Sequence, residues 1–158
     1  LKNKTKMKKT ILFMTLVLLS VTVNGQTFQE VINEFKNKPN VELIHISKFM
    51  MKVLKASSVV MSDVSIPKGV NIKSMNVLVL DECTDATRRE FFDKVSAIDF
   101  SGQGYELLVK TRDDGENVMI YGKPDGKVFS EAVIVAGDNK DATLVQMFGK
   151  LDPKKLMK

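Results

Sequence analysis

The chain has 158 residues, 44% hydrophobic and 27% charged, with a formal net charge of +5 and a single cysteine. The length suits one domain with a real core, and the lone cysteine excludes any internal disulfide, so the fold must rest on that core. The charge excess is confined to the start: removing Lys2, Lys4, Lys6, Lys8 and Lys9 from the 24 basic residues leaves 19, equal to the 19 acids. Both signs are then interspersed, as on an ordinary solvated surface, and the argument for nucleic acid as a partner disappears.

Residues 1–25 read as a secretory signal peptide. Met7-Lys8-Lys9-Thr10 is a basic opening, and 1–6 ahead of it reads as an over-long start. Ile11 to Val23 is apolar except for Thr15, Ser20 and Thr22, and Val23-Asn24-Gly25 offers small or β-branched residues at the −3 and −1 positions. The apolar run has thirteen residues, short of the about 20 that span a bilayer. Cleavage between Gly25 and Gln26 leaves 26–158 as a single exported domain with no stable membrane anchor. The periplasm is the expected location, with the cell surface or the medium as alternatives.

Thr27-Phe28-Gln29-Glu30 has the form of a capping box, and Phe28, Val31, Ile32 and Phe35 make one helical stripe that Pro39 ends. Val41 to Ile46 reads as a strand. Ser47 caps a second helix expected to bury Phe49, Met50, Val53 and Leu54. Residues 56–74 are irregular, with Ser57-Ser58, Pro67-Lys68-Gly69 and Asn71 among the apolar Val59, Val60, Met61, Val64 and Ile66. Long loops of this kind are often functional, so these five residues form a candidate partner-binding loop.

Met75 to Leu80 is a strand apolar on both faces. Asp85 or Thr87 starts a third helix with Phe91, Phe92, Val95 and Ile98 inward, and Gly102 and Gly104 end it. Four strands follow, at 105–112, 117–123, 128–136 and 143–151. Asp113-Asp114-Gly115, Pro124-Asp125-Gly126 and Gly137-Asp138-Asn139 join them. Asp152-Pro153 opens a short last helix. The order predicts an α+β fold: a mainly antiparallel sheet, about three helices packed on one face, a C-terminal four-stranded meander, and an opposite face partly open to water or a partner.

The leader, Val41 to Lys48, Met75 to Leu80, Tyr105 to Lys110, Tyr121 to Gly126, Glu131 to Val135 and Leu144 to Gly149 together resemble a family of small exported bacterial proteins, domain-of-unknown-function family 4252. The resemblance covers nearly all of 26–158 and rests on strand and turn pattern. It implies a Gram-negative host, an envelope location and a link to extracytoplasmic sigma-factor genes. It carries no functional residues over.

No catalytic motif stands out. Cys83 follows a strand at a helix start, with Arg88 and Arg89 beyond it, which would favour a thiolate, while Asp81, Glu82 and Asp85 oppose that. A buried, inert thiol is the plainer reading, and an intermolecular disulfide the sharper one. His45, the only histidine, would pair with Cys83 as base and nucleophile only if the fold joined them. Asp113 to Asn117 is rich in oxygen but lacks calcium-loop spacing and reads as a hairpin turn. Gly102-Gln103-Gly104 lacks the third glycine of a dinucleotide loop and precedes a strand rather than following one. Lys154, Lys155 and Lys158 are too few to bind nucleic acid.

The expectation is therefore a non-enzymatic exported domain without cofactor or metal that binds an envelope protein or surface polymer, with a homodimer also open. The alternatives are an accessory regulator of an envelope-stress sigma-factor system and a thiol-dependent enzyme or redox sensor using Cys83.

Overall fold

Thr27 opens the first helix as the capping box requires: its hydroxyl accepts the Glu30 N–H at 3.2 Å, and the Glu30 carboxylate accepts the Thr27 N–H at 2.7 Å. Two backbone donors that a helix start leaves free are thereby satisfied. The computed structural model describes residues 25–57, 71–113 and 115–156. In it this helix is α1, Phe28–Phe35. There follow β1 Val41–Ile46, α2 Lys48–Ser57, β2 Asn71–Leu80, α3 Asp85–Ser96, β3 Glu106–Asp113, β4 Glu116–Asp125, β5 Val128–Gly137, β6 Ala142–Leu151 and α4 Pro153–Leu156. The candidate loop residues Val59, Val60, Met61, Val64 and Ile66, and the leader up to Asn24, lie outside the described residues.

The strands form one six-stranded antiparallel sheet in the order β1-β2-β6-β5-β4-β3. β3 to β6 are consecutive neighbours. β2 pairs with β6 and β1 with β2, so the C-terminal strands are part of a wider sheet. Two residues join β4 to β5, and Gly126 takes φ +66° in that turn, a conformation only glycine adopts freely.

Alternation along the strands divides the core in two. One face carries Leu78, Leu80, Val133, Val135, Ala142 and Leu144 under α1 and α3, sealed by Phe28, Phe35, Phe91 and Val95. Phe35 meets Phe91 edge to face at 5.5 Å, and Phe100 stacks on Tyr121 at 4.0 Å. The other face gathers Ile46, Met51, Ile72, Met75, Phe129, Ala132, Met147 and Leu151.

The helices therefore do not share one face, and the expected arrangement is corrected: α1 and α3 cover the first face, and α2 lies against β2 on the second. Only Ser47 separates β1 from α2, so the helix folds back on the side to which Ile46 points. The residues expected to be buried by α2 are corrected too. Met51 is 1% exposed, whereas Phe49 is 73%, Met50 47% and Val53 42% exposed. The apolar residues of α2 outnumber one stripe, and the sheet takes the stripe through Met51.

The even charge balance conceals a segregation. Where β2, β5 and β3 end, the described residues carry Asp81, Glu82, Asp85, Asp113, Glu116, Asp138 and Asp141 against Lys36, Lys38, Arg88, Arg112 and Lys140. The opposite end carries Lys48, Lys73, Lys127, Lys150 and Lys154 against Asp99, Glu106, Asp125 and Asp152 among the described residues. Charges that alternate in sequence are sorted by a sheet whose chain reverses every ten or so residues.

Candidate functional site

A polar row crosses the face covered by α1 and α3. β1 places His45 opposite Asn76 of β2, and Asn76 lies opposite Gln146 of β6. His45 Nδ1 lies 2.6 Å from Asn76 Oδ1. Asn76 Nδ2 donates to Gln146 Oε1 at 3.1 Å, and Gln146 Nε2 donates to Glu131 Oε1 at 2.7 Å. The Tyr105 phenol lies beside Glu131. Asn76, Gln146, Glu131 and Tyr105 are all buried, and His45 is the exposed end.

The row has a direction. A carboxylate only accepts, so Glu131 orients the Gln146 amide, Gln146 orients Asn76, and Asn76 presents its oxygen to His45. His45 must then donate from Nδ1, which leaves Nε2 facing outward. Burial, followed by the hydrogen bond and charge of Glu131, pushes the Tyr105 phenol well above its ordinary 10.0. Among the described residues no buried side-chain polar atom lacks a partner.

On the opposite face, one residue along each strand, the row is apolar. Ile44 pairs with Val77, Val77 with Val145, Val145 with Ile134, Ile134 with Ile120, and Ile120 with Val109. These six residues cross all six strands. Ile44 is exposed and the other five are partly exposed, whereas Leu78, Leu144, Val133 and Val135 on the covered face are sealed. The next row, Val79, Thr143, Ala136 and Val118, is likewise partly exposed. On soluble monomers, contiguous exposed apolar patches beyond a few hundred Å² are rare.

The acidic end holds a shallow depression of about 270 Å³ lined by Glu116, Gly137, Asp138, Asp141 and Thr143. The backbone N–H groups of Asp141 and Lys140 hold the Asp138 carboxyl below its usual range. Partial loss of hydration, then the hydrogen bond and charge of Asp81, push the Asp141 carboxyl up. Among the described residues no group of three or more His, Cys, Asp or Glu side chains is placed to hold a metal ion. Asp113 and Glu116 face each other across a hairpin in which Gly115 takes φ +92°.

Cys83 and His45 are not brought together. Cys83 is buried in the cluster under α1 and α3, its Sγ 4.0 Å from the Leu80 carbonyl, and no second cysteine lies in the chain. His45 pairs with Asn76, four positions before Leu80, or roughly 13 Å along the strand. The Arg88 guanidinium is engaged by Asp85 and the Lys140 carbonyl and is not directed at the thiol. At the expected cleavage position, the Gln26 carbonyl accepts from Gln103 Nε2 at 2.8 Å.

The sequence profile of a family described as Domain of unknown function (DUF4252) matches residues 35–158. The chain belongs to this family. The matched DUF4252 region takes in every strand of the sheet, the polar row and the apolar row alike. No curated protein and no solved structure gives a significant match. Sequence reasoning missed Asn76, Glu131 and Gln146 as a set. The available signal was a single amide or carboxylate set against apolar neighbours in each strand, in Met75-Asn76-Val77, Glu131-Ala132-Val133 and Val145-Gln146-Met147.

Proposed function

We propose that this DUF4252 domain is an exported, non-enzymatic module that binds a protein of the cell envelope through the open face of its sheet. The reading is carried by the six-strand row from Ile44 to Val109, which is apolar and partly exposed, with no described helix over its β3–β5 portion. A sheet face of β-branched side chains is pre-organised and loses little side-chain entropy when covered. On the other face, Asn76, Gln146 and Glu131 are occupied with one another and buried.

Photo-crosslinking residues placed at Ile134 and Ile120 in living cells test this reading. A single adduct of constant mass is expected from both positions, and none from Asp93 on the exposed side of α3. Adducts from Asp93 alone, or none from any position, would remove the open face as the binding surface.

A further inference from the structure

The exposed stripe of α2 is a surface distinct from the open sheet face. Phe49, Met50 and Val53 project outward while Met51 anchors the helix. Beside the stripe, the charged residues among the described side chains of α2 are both lysines, Lys48 and Lys52. The helix also sits at the basic end of the sheet, with Lys73 and Lys150 at the neighbouring strand ends.

We propose that α2 docks this domain on the surface of an anionic phospholipid bilayer, with Phe49, Met50 and Val53 entering the headgroup region and the lysines meeting lipid phosphates. An apolar stripe flanked by lysines is the composition of an interfacial helix, whose binding sums buried apolar area and attraction to anionic lipid. The segregated charge adds orientation: the basic end is drawn to a negative surface and the acidic end repelled from it. A second copy fits poorly, because a two-fold contact through α2 would set Lys48 and Lys52 against their own equivalents. A planar anionic surface is met by α2 and the lysines of the strand ends at once.

The chain contains no tryptophan, so Phe49→Trp makes a single fluorophore at the proposed contact. In the full chain its emission is expected to move to shorter wavelength on phosphatidylglycerol vesicles and to be quenched by brominated lipid. The shift should be much smaller on phosphatidylcholine vesicles, in high salt, and in the Lys48→Glu, Lys52→Glu background. A tryptophan at Ile134 should not respond to either vesicle, which separates this surface from the open face. Emission at position 49 unchanged by phosphatidylglycerol overturns the proposal. So does a shift equal on both lipids and indifferent to charge reversal. A shift that grows with protein concentration in the absence of lipid assigns α2 to a second copy and overturns it equally.

Discussion

The two faces of one stretch of sheet reverse the usual placement of polar and apolar residues. Under α1 and α3 runs a row of hydrogen-bonded side chains, His45, Asn76, Gln146 and Glu131. One residue along, on the side without those helices, runs Ile44, Val77, Val145, Ile134, Ile120 and Val109. The difference concerns register. Val77 to Leu80 is apolar on both faces, so hydrophobic alternation alone would tolerate a slip by one residue. A slip would separate Asn76 from Gln146 and leave buried amides unpaired. We read the polar row as the device that fixes alignment and the apolar row as surface kept free for contact.

The comparison is broken most severely from beneath the helices. Phe91 is fully buried against Phe35 and Phe92. Phe91→Ala should cost about 3–5 kcal/mol in urea unfolding. Next in size, Gln146→Leu keeps the volume but leaves Asn76 Nδ2 and one bond of Glu131 without partners. It should cost about 2–3 kcal/mol, and paired replacement of Asn76 and Gln146 by leucine should recover part of that loss. If the single variant is as stable as the parent, the row does not hold the register.

Alkaline titration sharpens the same contrast. The folded Tyr105 phenol titrates above its ordinary 10.0, so the unfolded chain gives up this proton first. Stability is therefore complete below pH 10 and falls as pH rises beyond it, by up to about 1.4 kcal/mol per pH unit for one such group. Tyr105→Phe should flatten that fall, leaving the share of Tyr121, which burial also shifts upward. The smallest effect on folding is expected on the open face. Ile134→Thr should change stability by less than about 1 kcal/mol while weakening any adduct formed through Ile120.

Much of this architecture was legible in the chain. The capping box, the apolar stripe of α1, the Asp-Gly hairpins and the order of elements follow from local chemistry, which each segment carries by itself. What local chemistry does not contain is which strands meet. The polar row needs β1, β2, β6 and β5 side by side, and the neighbours β2 and β6 are separated in sequence by a helix and three strands. Periodicity marked α2 as amphipathic but could not say which stripe the sheet takes. It chose Met51, and Phe49 was left outside.

β3 closes the sheet at one side, and its register with β4 slips between Leu107 and Val109. Around that bulge the strand carries exposed Glu106, Lys110, Arg112 and Asp113. A flat, uncharged border would template the addition of strands from other molecules, the first step toward filaments. Here the border is kinked and charged, so an incoming strand would be misaligned after a few hydrogen bonds. Growth of the sheet outward from β3 is thereby disfavoured.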